Sequence, residues 1–104
     1  MTGRAARYRW EDIELEKVTE MVTRKVIAGT AQQLSQVYLK KGALVPIHSH
    51  AGEQMIYVLQ GALRVLVAGD EITVREGDVI RIPANAAHQG EALDDTFVVE
   101  TRAL

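Results

Sequence analysis

The chain has 104 residues, 47% of them hydrophobic and 25% charged, with a formal net charge of −2 and no cysteine. That length suits one compact domain with a modest core, and the charge balance offers no basic surface for nucleic acid. No apolar run nears the roughly 18 residues of a membrane span, and Arg4, Arg7 and Arg9 lead into no apolar segment that would make a signal peptide, so a cytoplasmic protein is expected. Without thiols, stability must come from packing, and any metal must be held by nitrogen and oxygen.

In chain order, the first several residues carry no pattern and are expected to be mobile. Trp10 to Glu20 is ambiguous, because Ile13, Leu15 and Val18 fit either an edge strand or a short helical turn. Strands are predicted at Met21 to Ile27, Leu34 to Leu39, Ala43 to His48 and Met55 to Leu59. The alternation is clearest in Leu63 to Val67, with Leu63, Val65 and Val67 on one face and Arg64 and Leu66 on the other. Gly69-Asp70 turns the chain into Glu71 to Arg75, and Asp78 to Ile82 and Thr96 to Thr101 complete the set. Glycines at 29, 42, 52, 61, 69, 77 and 90 punctuate these runs, so the fold class is all-β. An open sheet of so many short strands would leave bare edges, which a barrel or double-sheet jelly roll removes or protects. No repeat, low-complexity tract or linker divides residues 1–104, which read as one domain.

Two of the three histidines form His48-Ser49-His50 at the end of a predicted strand, where residues two apart share a face. Their Cα atoms would lie roughly 6.5 Å apart, close enough for both imidazoles to converge on one ion about 2.0 to 2.1 Å from each nitrogen. Alone, such a pair equally describes solvated or hydrogen-bonded structural histidines. The surrounding frame runs Gly42, five residues, His48-x-His50, three residues, Gln54, six residues, Gly61; it continues as Gly77, five residues, Pro83, one residue, Asn85, two residues, His88. These segments, about 42–61 and 77–92, resemble the first and second cupin motifs in order, and all three histidines fall on motif positions. The resemblance implies a double-stranded β-helix, the cupin jelly-roll barrel, with one divalent transition metal ion held inside, and it implies a homodimer.

Three positions depart from the motifs: Gln54 stands where the ligand is usually glutamate, Asn85 where the second motif has glycine, and Ala92 where it has asparagine. Asparagine tolerates a left-handed backbone, so Asn85 suits its turn. Counting back from Gly61 puts residue 54 in the ligand slot, and alternation sets Gln54, Ile56 and Val58 on one face with Glu53 pointing away. The ligand set is then His48, His50, Gln54 and His88, with Glu53 as the alternative fourth member. Three neutral imidazoles and an amide would leave the charge of Zn, Ni, Mn or Fe uncompensated and favour a small anionic ligand, with the ion acting as a Lewis acid. With Glu53 instead, the site would approach that of an iron-dependent dioxygenase or oxidase. A third reading is a non-catalytic module that binds or senses a small anion.

The run His48 to Gly61, together with Glu91-Ala92-Leu93-Asp94-Asp95-Thr96, resembles the KdgF-type cupins, which linearise unsaturated uronates released from pectin or alginate. That likeness implies the same four ligands and an isomerase- or lyase-like step on a sugar acid. The last strand of that family offers an aspartate and a phenylalanine to the substrate; a gap-free count from His88 puts Glu100 and Arg102 there, as candidate catalytic residues. Glutamate could keep an acid/base role, whereas arginine changes the character of the pocket. Arg24, Arg81 and Arg102 are candidates for holding a substrate carboxylate. Tyr38 and Tyr57 are read as either ligand contacts or packing, and Gln89 as a turn residue after a ligand. Met55, Tyr57 and Leu59 alternate with the interior face and would meet a covering segment or a second subunit.

Overall fold

The computed structural model describes residues 3–104, so part of the N-terminal stretch expected to be mobile, residues 1 and 2, lies outside the described residues. A 3₁₀ turn at Trp10–Asp12 precedes ten strands: β1 Glu16–Lys17, β2 Val22–Ala28, β3 Gln32–Leu39, β4 Leu44–His48, β5 Gln54–Gln60, β6 Ala62–Val67, β7 Asp70–Arg75, β8 Val79–Ile82, β9 His88–Ala92 and β10 Thr96–Ala103. Their antiparallel pairings make a six-stranded sheet, β1-β2-β3-β10-β5-β8, and a four-stranded sheet, β4-β9-β6-β7. The fold is the expected all-β jelly roll. No helix among the described residues is long and apolar enough to cross a membrane.

The two sheets close on a core drawn from alternate residues, including Val37 and Leu39 of β3, Ile56 and Val58 of β5, Leu63, Val65 and Val67 of β6, Ile80 and Ile82 of β8, and Val98 of β10. The expected two faces of β6 are observed, with Arg64 and Leu66 outside. The ambiguous stretch 10–20 holds both alternatives, a 3₁₀ turn and then a two-residue strand. Leu15 and Val18 stay exposed there, so little apolar burial is available to extend either element.

One expectation needs correction. His88–Ala92 forms a strand that propensity did not indicate, since His-Gln-Gly-Glu-Ala contains none of the Val, Ile, Thr, Tyr, Phe and Trp that favour strands. Pairing with β4 on one side and β6 on the other holds it extended, so Gln89 belongs to a central strand and not to a turn. Of the two readings open for Tyr38 and Tyr57, packing fits Tyr38, which stacks on Phe97 at 4.4 Å on the outer face of the large sheet, where Tyr57 is exposed. Met55 is exposed on that outer face as well, as the alternation required.

β10 runs two residues beyond its predicted end, and its partners explain why. It pairs with β3 from Thr96 to Ala103 and with β5 from Phe97 to Arg102, which places Glu100 and Arg102 in mid-sheet. Gly61, with φ +90, lies where β5 passes into β6, and a Cβ there would collide with the Asp95 carbonyl and Thr96.

The β6–β7 hairpin turns on Ala68 (φ 47) and Gly69 (φ 89), a pair of left-handed residues in the arrangement that favours Asn-Gly. Ala68 is exposed and carries that conformation without a compensating side-chain bond. Ala68→Asn should therefore stabilise the protein by about 0.5 kcal/mol, seen as a higher urea midpoint at unchanged slope; an unchanged or lower midpoint would contradict the turn argument.

Candidate metal centre

His48 closes β4, His50 follows it, Gln54 opens β5 and His88 opens β9. His48 and His88 are direct cross-strand partners, and their ring centroids lie 4.2 Å apart. His50 joins them from the β4–β5 connection, with centroids 5.0 Å from His88 and 5.6 Å from His48. One nitrogen from each ring lies within 4.8 Å of the others. Asn85, at φ 64, occupies the left-handed position expected of it and donates its backbone N–H to the His50 carbonyl at 2.8 Å, which ties the β8–β9 turn to the His50 segment. At Ala92 backbone bonds secure the strand end: its N–H donates to the Ala43 carbonyl, and its carbonyl accepts from Gly42.

Every imidazole is oriented by a backbone carbonyl two residues away. Nδ1 of His48 meets the Pro46 carbonyl at 2.9 Å, Nδ1 of His88 the Ala86 carbonyl at 2.9 Å, and Nδ1 of His50 the Gly52 carbonyl at 2.7 Å. A carbonyl only accepts, so each Nδ1 carries the proton, and each neutral ring presents the lone pair of Nε2. Nε2 of His50 then lies 3.1 Å from Oε1 of Gln54, an acceptor facing an acceptor. A cation between them removes the repulsion, and roughly 3 Å is the separation of neighbouring donors around an ion about 2.1 Å from each. The donor set fits a divalent transition ion on these grounds.

Glu53 points outward, exposed, and pairs with Arg81 at 3.3 Å. Gln54, only 8% exposed, is the member of that pair that faces inward. It borders a cavity of about 410 Å³ whose wall also carries the three histidines, Arg24, Glu100 and Arg102, between apolar patches from Ile56, Val37 and Val98. Burial pushes the Glu100 carboxyl above its usual range, against the opposing pull of Arg102, Arg24, a hydrogen bond from Gln54 and the charge of His50. Burial likewise lowers His88, aided by His48 and His50 and opposed by the bond to Ala86.

All six expected site residues, His48, His50, Gln54, His88, Glu100 and Arg102, thus meet at one cavity, joined by Arg24 but not by Arg81. The sequence reading overlooked Gly52. A Cβ on it would overlap the Ala103 carbonyl, and its own carbonyl orients His50. A glycine two residues after a candidate ligand was the available signal. The Pro46 and Ala86 carbonyls have no side-chain signature at all.

Comparison with known proteins agrees with this architecture. The cupin domain model matches residues 35–101, and the chain belongs to the cupin family. An uncharacterised protein of Methanocaldococcus jannaschii is 25% identical over 75 residues, which cover 71% of this chain and 60% of that one, so the match spans less than two thirds of that relative. Among solved structures, KdgF from a Halomonas species superposes with a TM-score of 0.87 at 25% identity, over 96% of this chain and 94% of that one. An RmlC-like cupin from Shewanella frigidimarina gives 0.88 at 21% identity, over 99% and 94%.

Two outcomes follow. Gly52→Ala should displace the end of β10 and loosen the His50 ring, lowering both the thermal midpoint and the affinity for zinc in a chelator competition; unchanged zinc affinity would exclude the orienting role. For His88, the folded value lies below the unfolded value of about 6.5, so the unfolded chain binds more protons between the two. This contribution to stability is complete above about pH 6.5 and is lost as pH falls through the folded value. The midpoint of metal-free protein should drop between pH 7.5 and 5, and drop less in His88→Gln; equal losses would rule the contribution out.

Proposed function

We propose that this cupin is a metal-dependent enzyme acting on a small anionic oxo- or hydroxy-acid, of the unsaturated uronate type, by an isomerase- or lyase-like step. The observation that carries this reading is the placement of a buried carboxyl, Glu100, in the same cavity wall as the three-imidazole cluster and Gln54. His48, His50, Gln54 and His88 would hold one divalent ion, Zn, Ni, Mn or Fe, which when bound would polarise a substrate carbonyl or hydroxyl oxygen. Gln54 has two neighbours in this scheme: its oxygen faces His50, and its side chain favours the ionised form of Glu100.

Glu100 is the acid/base. Its raised pKa brings it nearer to working pH, so it can take a proton from a substrate hydroxyl or carbon and return it elsewhere. The likeness to the Halomonas KdgF along nearly the whole of both chains supports this chemistry. The outward position of Glu53 takes support away from a carboxylate-bearing oxygenase site. The exposed apolar outer face around Met55, Tyr57 and Val79 supports a homodimer, and a cytoplasmic location belongs to the same reading.

Metal-loaded protein should consume unsaturated galacturonate, read as loss of absorbance, and chelation should abolish the rate. No acceleration over buffer would overturn the activity, and negligible transition metal before and after reloading would overturn the site. Glu100→Gln should lower kcat by about 10² to 10⁴-fold while metal uptake persists; a rate within a few fold of wild type would remove Glu100 from catalysis. Light scattering should give twice the 11.5 kDa chain mass at micromolar concentration, and monomer alone would exclude the dimer.

A further inference from the structure

Of the two arginines that line the cavity, Arg24 and Arg102, Arg102 is the one without an ion-pair partner among the described residues. Arg24 bonds Glu16 through Nε at 3.3 Å and Nη2 at 3.1 Å, Arg64 pairs with Glu91 and Glu71, and Arg81 pairs with Glu53. Among the described residues, the guanidinium of Arg102 makes no ion pair or side-chain hydrogen bond, although the residue is half-buried in the cavity wall. A planar fork of donors removed from water without an acceptor is costly, and the acceptor that matches it best is a carboxylate taking two parallel hydrogen bonds.

Its position makes that vacancy useful. Arg102 is the direct cross-strand partner of Gln54, and two residues from Glu100 on the same inward face of β10. Paired Cα atoms in an antiparallel ladder lie about 4.5 to 5.5 Å apart, less than the reach of an arginine side chain, so an anion on this guanidinium would lie beside the histidine and glutamine donors. Glu100 does not claim the fork, since no carboxylate oxygen lies within ion-pair distance of Arg102 among the described residues. Arg24 adds positive charge to the same cavity, but its fork is engaged by Glu16. The cavity, about 410 Å³, is large enough for an acid of some six carbons.

We propose that Arg102 is the carboxylate anchor of this cavity, and that the ligand is a small hydroxy- or oxo-acid lying between two ends of the site, its carboxylate on Arg102 and a second oxygen toward His48, His50 and His88. This rests on the functional reading above and refines it, because selectivity is assigned to the acid group and to one residue. An aromatic side chain at this position would pack against a sugar ring; arginine reads charge instead. The neutral amide of the same acid, which cannot accept two hydrogen bonds in the carboxylate manner, should be rejected.

The test is calorimetric titration of wild type, Arg102→Gln and Arg102→Lys with lactate and galacturonate, with their primary amides, and with inorganic phosphate, on metal-loaded and on metal-free protein. At least one acid should bind wild type about ten- to a hundredfold more tightly than Arg102→Gln. Arg102→Lys, a point charge without the fork, should recover part of the difference, and wild type and Arg102→Gln should bind the amides equally weakly. Zinc uptake and thermal midpoint should stay near wild type in both variants, which separates loss of the anchor from loss of the fold. The proposal is overturned if Arg102→Gln binds both acids within twofold of wild type, if wild type does not prefer acid over amide, if phosphate binds more tightly than either acid, or if neither acid binds at millimolar concentration. Failure of the metal reading is seen separately, as absence of zinc uptake by wild type, and the metal-free titrations then decide Arg102 on their own.

Discussion

The interior depends on a single irregularity in the pairing of β5 with β10. Phe97 lies opposite Gln60, yet Val98 lies opposite Val58, so Leu59 drops out of the ladder and the register shifts by one residue. In an antiparallel pair, residues directly opposite share a face. Without the shift Val98 would oppose Leu59 and Arg102 would oppose Met55, setting the inward phase of one strand against the outward phase of the other. With it, Val98, Glu100 and Arg102 align with Val58, Ile56 and Gln54, and both strands turn one continuous face to the core. On its other side β10 pairs with β3 without interruption, so the phase is held from both edges.

From that alignment the site acquires two neighbouring layers. The apolar layer, Val98 with Val58 and Ile56, belongs to the core proper. The polar layer, Gln54 with Glu100 and Arg102, sits at the end of the same strands, where the smaller sheet delivers His48 and His88 from β4 and β9. Two sheets thus contribute complementary parts, one the carboxyl and guanidinium, the other the cross-strand pair of imidazoles. The backbone completes the job: carbonyls of Pro46, Gly52 and Ala86 fix which nitrogen of each ring is free. Metal-binding proteins commonly fix imidazole ligands in this way, because a hydrogen bond on one ring nitrogen sets both the tautomer and the direction of the other.

Charge is sorted by the same geometry. Glu53 and Arg81 neutralise each other outside, Arg64 is satisfied by Glu91 and Glu71, and Arg24 is engaged by Glu16. Inside, burial disfavours both an ionised Glu100 and a protonated His88. The cavity is therefore biased toward positive potential by its arginines, a field suited to drawing in a small anion.

Much of this was legible in the linear chain, for a local reason. Period-two alternation assigned the faces of Leu63 to Val67 and of Gln54, Ile56 and Val58, because a strand has only two sides and the core accepts only one of them. The order of Gly42, the three histidines, Gly61, Gly77 and Pro83 resembles the cupin motifs, since turns demand particular residues and a shared ion demands particular neighbours. Other features required distant segments to meet. β9 is a strand only because β4 and β6 flank it; nothing in His88 to Ala92 favours extension. Glu100 and Arg102 are interior because β10 pairs on both sides and slips past Leu59. Which arginines found carboxylates was likewise decided by tertiary structure, because a salt bridge depends on separation in space, and residues such as Arg81 and Glu53 stand far apart along the chain.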